Sequence, residues 1–315
     1  MNKYFLTEDQ LMIQELAKKF ADEVVAATVT ELDEKHEFPM AEVKQCAEMG
    51  FLGVCVPEEY GGAGLDHLSD VLVMEQLARH SSSLASIIDA HASLGSMPIL
   101  MAGSEEQKQK YLAPAATGET LCAFALTEPQ SGSDAAQIRT TAVLDGDEWV
   151  INGSKAFITN STYASTFLVA AKTDLEAKGS RGISIFIVPA GLPGFEVGKP
   201  EEKMSNRSSY SCPLSFTDVR IPKENLVGEL NRGFPIFMKC VDDGRVAISA
   251  VAVGMAQGVL ERAARYSKER VTFGHPICEN QAIAFKLAEM ATEIEVARAM
   301  LYNTARMSDN GVPFS

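Results

Sequence analysis

The strongest constraint on this chain is a change of periodicity at Leu121 that reverses near Gly233. Up to residue 120, apolar residues recur at helical spacing. From 121 to about 221 they fall in short runs broken by turn signals, and from 234 the spacing is helical again. This order excludes a single bundle or a single sandwich. It predicts a mainly α protein with a central β domain: an N-terminal helical domain over 1–120, a middle β domain over 121–230 and a partial C-terminal helical domain over 231–315.

The boundaries carry local signals. Thr7 with Gln10 resembles a capping box, and Leu11, Ile13, Leu16, Ala17 and Phe20 form an apolar stripe, so a helix is predicted over 7–26. A second spans 39–49 and is ended by Gly50. The glycine-rich stretch 57–65 lacks both GxGxxG and GxxxxGK[ST] and reads as an interhelical connection rather than a phosphate cradle. Further helices are predicted over 66–80, 83–102 and 104–116, the last opened by Ser104 with Gln107 and closed by Gly118. Strands are predicted at 121–126, 138–144, 148–151, 166–171, 183–188, 194–198 and 212–221. Turns at Asp145-Gly146, Asn152-Gly153, Arg181-Gly182 and Pro193-Gly194 separate several of them, a pattern of a small barrel or sandwich. Pro213 inside a predicted strand points to a sheet edge. A long helix over 234–268, apolar on several faces, is expected to be largely buried. Residues 270–278 break it, and a second long helix runs over about 279–308.

Composition narrows the partners. The net charge of −14 and pI near 4.9 argue against nucleic acid or an anionic membrane as the main partner. No run of about 18 apolar residues stands out, so no transmembrane helix is expected, and the first residues do not read as a targeting peptide. The six cysteines lack C-x-x-C spacing and the five histidines form no H-x-x-x-H pair, so no metal site is expected. Buried thiols fit a reducing cytoplasm.

Within this frame the stretch 121–134 stands out. An apolar run stops at Thr127 and is followed by small, polar, glycine-bearing residues. A strand ending this way offers hydroxyls and backbone N–H groups to a ligand, although a plain polar turn uses the same residues. Four stretches in order, LTEPQSGSD (126–134), WVINGSKAFITNS (149–161), VDDGR (241–245) and ERVTFG (269–274), resemble the acyl-CoA dehydrogenase family, with the short-chain, butyryl-CoA-type bacterial enzymes the most similar branch. The resemblance covers essentially the whole chain.

It implies an FAD site between the β domain and the helical domains. By resemblance, Phe124, Ala125, Leu126, Thr127 and Ser133 lie along the flavin, Ser133 also reaching toward the thioester tail. Phe157, Ile158 and Thr159 match the family's aromatic-x-Thr: the ring covers one flavin face and the Thr159 hydroxyl donates toward N5. Many relatives carry Trp where this chain has Phe157, and without the family a core aromatic and a strand threonine are the readier explanation of the pair. Arg270, Phe273 and Gln281 resemble residues that reach the FAD of a neighbouring subunit, which implies a homotetramer. Asp242, Asp243, Gly244 and Arg245 match the acyl-CoA-binding segment of the first long helix; Asp242 and Arg245 are also spaced for a structural ion pair.

The implied reaction is FAD-dependent α,β-dehydrogenation of a short-chain acyl-CoA, with electrons passed to an electron-transfer flavoprotein, in the cytoplasm or, for a processed eukaryotic form, the mitochondrial matrix. The family's base is a glutamate. In the short-chain branch it lies in a Tyr-Glu-Gly-Thr-like motif absent from this chain and expected beyond Ser315. In other branches it lies where this chain has Gly244. No catalytic residue is therefore assigned, and the sequence is read as a C-terminally truncated member. An inactive flavin- or acyl-CoA-binding protein, and an acyl-CoA oxidase or enoyl-CoA reductase, remain alternatives. Gln137, Ser205 and Pro213 depart from the family's usual residues.

Overall fold

The computed structural model describes residues 4–314. The helices come first, as the capping boxes require: Thr7 accepts from Gln10 N at the start of α1 (Glu8–Phe20), and the Gln10 side chain returns the bond. The helix does not end near residue 26. A π-helical turn (Ala21–Val25) carries it into α2 (Ala26–Lys35), and only His36, at φ 53°, stops it. After α3 (Met40–Glu48) and the glycine-rich connection comes α4 (His67–Ala78), capped by Asp66 and buried from Leu68 to Ala78. It packs against α1 and α5 (Ser82–Asp89). A π segment (Ala90–Ser96) leads to α6 (Met97–Ala102), then α7 (Glu105–Gln107), another π turn and α8 (Ala113–Ala116).

Eight strands follow: β1 (Leu121–Ala125), β2 (Thr141–Asp145), β3 (Glu148–Thr159), β4 (Ala164–Lys172), β5 (Ile183–Pro189), β6 (Phe195–Val197), β7 (Ser211–Pro222) and β8 (Leu226–Val227). They form one mixed sheet in the order β6-β7-β3-β2-β4-β5-β8, with β1 parallel to β4 off this path. β2 and β4 meet only at Thr141 and Lys172. The halves on either side of this narrow joint bury a common core that includes Trp149, Phe167, Phe186 and Phe216. β4 and β5 are apolar on both faces for a reason. Phe167, Val169, Phe186 and Val188 point into that core, while Leu168, Ala170, Ile185 and Ile187 pack with Leu112 and Phe237 from the helices. A strand covered on both sides loses the alternation of a half-exposed one.

Two strand expectations are corrected. Asn152-Gly153 is not a turn; it lies inside β3, which runs eight residues past Ile151. Gly153, at φ 148°, marks a register shift, and a Cβ there would stand 2.7 Å from Thr140 Cα. Pro213 is not on an edge either: β7 lies between β6 and β3. The proline is tolerated because the ladder to β3 shifts register between Lys155 and Ile158, opposite it.

The chain then enters α9 (Gly233–Glu269), a short hairpin of β9 (Val271–Thr272) and β10 (His275–Pro276), and α10 (Gln281–Asp309). Both long helices pack on α4. Glu75 of α4 is the junction. Its carboxylate accepts from Arg298 Nε at 2.9 Å and from the Tyr302 hydroxyl at 2.7 Å, while Arg298 also donates to Gln257 of α9. Contrary to the sequence expectation, α9 is buried along one face only; Ile248, Met255 and Val259 are exposed. Two helices, Ser82–Ala102 and Gly233–Glu269, are long and apolar enough to cross a bilayer, but the first is mostly buried inside the fold and carries Asp89 and His91, both buried.

Candidate active site

β1 runs parallel to β4 from Leu121 to Ala125 and then leaves the sheet. Leu126 and Thr127 are held by β3 instead. The Thr127 carbonyl accepts from Ala156 N at 2.9 Å, and the Leu126 carbonyl accepts from Lys155 Nζ at 3.1 Å. The Thr127 N–H has no partner among the described residues. Beyond it, Glu128 and Ser131 exchange backbone bonds that close the loop.

Glu128 and Lys155 are buried beneath that loop, Nζ to Oε1 2.8 Å, with side-chain exposures of 2% and 0%. The carboxylate also accepts from Arg139 N at 2.6 Å, Thr140 N at 3.0 Å and the Gln130 amide. Burial works against the Glu128 charge, but Lys155 and these donors outweigh it and hold the carboxyl below its usual range. Burial pulls the Lys155 ammonium down to about 8, with Glu128 opposing.

Past Lys155 the β3 ladder shifts register, and Phe157 takes φ 59° with 65% of its surface exposed. A bulge re-aims a side chain, and an aromatic residue in the left-handed region is strained, a combination that gathers at functional sites. Thr159 lies within 3.3 Å of the Ser211 hydroxyl. Buried Asn160 then donates to the Ile87 carbonyl at 2.9 Å, tying the end of β3 to α5.

The opposite wall is helical. His91 in the π segment is wedged between Ala115 O, 3.1 Å from Nε2, and Cys122 N, which donates to Nδ1 at 3.0 Å. These partners require the neutral tautomer with the proton on Nε2, and burial lowers the imidazole to about 4. Gly95 lets this segment approach β1: a Cβ there would stand 2.7 Å from Cys122 Cβ. Ala90 and Leu94 consequently face β1 and the loop, and Met238, Val241 and Arg245 of α9 close the third side.

The result is a cleft of about 390 Å³, within the usual range for small-molecule sites. Phe124, Leu126, Thr127, Ser133, Phe157, Ile158, Thr159 and Arg245, all named from the sequence, line it. Ala125 does not; it points into the β core. Asp242 and Asp243 face adjoining openings instead, and Gly244 packs on Leu94, its absent Cβ only 2.9 Å from Leu94 Cδ2. Asp242 and Arg245 form the anticipated ion pair at 2.6 Å, which leaves Arg245 70% exposed at its side chain beside the cleft. Arg270, Phe273 and Gln281 are remote from the lining; they occupy the β9–β10 hairpin and the start of α10, with Phe273 wholly exposed.

Sequence reasoning missed the Glu128–Lys155 pair, although both lie in the stretches it singled out; a charged residue in each of two apolar-flanked stretches was the available signal. It also missed Ala90, Leu94, Met238 and Val241, for which helices apolar on several faces give no signal. No carboxylate lines the cleft among the described residues. The lining offers hydroxyls, an unpartnered N–H, an exposed aromatic ring and one guanidinium, a set suited to a flat, electron-rich heteroaromatic ligand with an anionic tail.

Comparison with known proteins agrees with this arrangement. The family models for the N-terminal, middle and C-terminal domains of acyl-CoA dehydrogenase match residues 7–119, 123–219 and 231–315. The short-chain-specific acyl-CoA dehydrogenase of Clostridium acetobutylicum is 43% identical over 310 residues, covering 98% of this chain and 82% of that protein. The butyryl-CoA dehydrogenase structure from Megasphaera elsdenii superposes with a TM-score of 0.95 at 42% identity, over 98% of this chain and 82% of that one. A structure described as the electron transferring flavoprotein of Acidaminococcus fermentans superposes with a TM-score of 0.96 at 47% identity, over 99% and 82%.

Proposed function

The chain belongs to the acyl-CoA dehydrogenase family, and on that premise we propose that it acts with FAD on short-chain acyl-CoA thioesters and passes the electrons to an electron-transfer flavoprotein. The observation that carries this reading is the cleft itself, where the β1 loop, the β3 bulge and the helical wall bring together Phe124, Leu126, Thr127, Ser133, Phe157, Ile158 and Thr159 from among the residues that the family resemblance assigns to the flavin. When bound there, FAD supplies a two-electron acceptor for the β-hydride.

The chain's own residues do the rest. With FAD in the cleft, the Thr127 N–H and hydroxyl would bind the polar edge of the ring, and the exposed Phe157 ring would cover one face. Thr159 donates from the end of β3 and Ser133 from the loop. Leu94, Met238 and Val241 exclude water from the substrate side, and Arg245 offers positive charge to an anionic portion of the ligand. The α-proton must leave to a base as the β-hydride departs, and no described residue of the cleft is a carboxylate, so none is assigned that proton. The short-chain preference is supported by the relatives, and the flavoprotein partner by the Acidaminococcus structure. The exposed Arg270 and Phe273 support a homotetramer in which the hairpin serves a neighbour's FAD. Six free thiols fit a reducing compartment such as the cytoplasm.

A second reading, binding without turnover, is favoured by the lack of a carboxylate in the cleft. The visible spectrum of the protein with FAD, before and after anaerobic butyryl-CoA, separates the readings. A bound flavin that bleaches supports the dehydrogenase; a bound flavin that does not bleach supports binding alone. No flavin binding would refute both.

A further inference from the structure

We propose that Lys155 is a positioning residue whose buried ammonium polarises the peptide between Leu126 and Thr127, strengthening the Thr127 N–H as a donor into the cleft. The inference rests on the reading that this cleft takes FAD.

The geometry is a short relay. Lys155 Nζ donates to the Leu126 carbonyl at 3.1 Å. That carbonyl and the Thr127 N–H belong to one peptide unit; Thr127 lines the cleft, and its N–H has no hydrogen-bond partner among the described residues. A charge-assisted bond to one end of a peptide increases the polarity of the other, more so in a buried setting where the local dielectric is low. Lys155 is fully buried, so water does not screen it. Glu128 keeps the ammonium charged and is itself anchored by Arg139 N and Thr140 N on the far side of the loop.

A purely structural clamp has cheaper solutions. An apolar pair of similar volume often matches or exceeds a buried ion pair in stability, and the neighbouring backbone bond from Ala156 N to Thr127 O already ties loop to strand. What an apolar pair cannot supply is positive charge behind the donor. A reduced flavin carries more negative charge at the ring edge than the oxidised form, so a stronger N–H donor favours the reduced form and raises the potential.

The test uses the FAD-loaded protein with Lys155→Met and with the neutral pair Lys155→Met/Glu128→Gln, which leaves no unpaired buried charge should the single variant fail to fold. Thermal unfolding checks the fold, fluorescence titration reads FAD affinity, and anaerobic dye-coupled reduction reads the midpoint potential. The folded variant is expected to favour the reduced flavin about tenfold less relative to the oxidised, a shift of roughly 30 mV to more negative potential for a two-electron couple. A folded neutral pair that holds flavin at the wild-type potential would overturn the proposal, even with weakened FAD binding, because a clamp alone moves affinity without moving the potential. Failure of the wild-type protein to bind FAD would refute the functional reading instead.

Discussion

Asp70 offers the sharpest test of how this fold handles buried charge. It sits on α4, the helix enclosed by its neighbours, against a cavity of about 20 Å³. Its Oδ1 has no hydrogen-bond partner among the described residues. Burial, reinforced by nearby Asp89, pushes its carboxyl up to about 7 from the ordinary 3.8. A carboxyl so raised binds its proton more tightly in the folded protein by on the order of 4 kcal/mol. The folded state therefore holds more protons than the unfolded state between these two values. This stabilisation is complete below the unfolded value and is lost as pH rises through about 7. Roughly 3 kcal/mol of it disappears between pH 5 and pH 8, which for a chain of this length is about 4 °C in Tm. Asp70→Asn removes the titration while keeping the shape. Thermal unfolding of both proteins at matched ionic strength should show the variant gaining about 4 °C on wild type between pH 5 and pH 8. Parallel Tm profiles across that range would refute the reasoning, since they would mean that Asp70 ionises in the folded protein as easily as in the unfolded chain.

Arg298→Met leaves the buried Glu75 carboxylate with Tyr302 as its one remaining partner among the described residues and should lower stability by about 3–5 kcal/mol in denaturant unfolding; a change under 1 kcal/mol would mean that the α4–α10 junction is not held by this pair. Gly95→Ala drives a methyl against Cys122, so a loss of about 1–3 kcal/mol in stability is expected together with weaker FAD binding; unchanged affinity would detach the helical wall from the site. Thr159→Ala should leave the fold and Tm intact while slowing anaerobic flavin reduction by substrate in stopped-flow spectroscopy, and an unchanged rate would remove Thr159 from the chemistry.

Much of this protein was legible from its sequence because the signals are local. The capping boxes at Thr7 and Ser104 close within three residues, and the helix–strand–helix order follows from spacing along the chain. The loop after β1 and the aromatic-x-Thr of β3 were named through the family resemblance, whose motifs are runs of consecutive residues, and both line the cleft. Where sequence reading went astray, a distant part of the chain supplied the reason. Asn152-Gly153 looks like a turn, yet Thr140 packs against Gly153 and β3 continues. Pro213 looks like an edge residue, yet a bulge in the partner strand absorbs its missing donor.

Only tertiary structure decided how the site is assembled. Glu128 and Lys155 are 27 residues apart, and the Glu75–Arg298 junction spans 223. Neither pairing has a signature in periodicity or composition, because a charged residue is written the same way whether it is solvated or buried against its partner. Leu94 and Met238 face the cleft for a similar reason. Which side of an all-round apolar helix meets a ligand is set by the neighbours that bury its other sides, and those neighbours are fixed by packing across the whole fold.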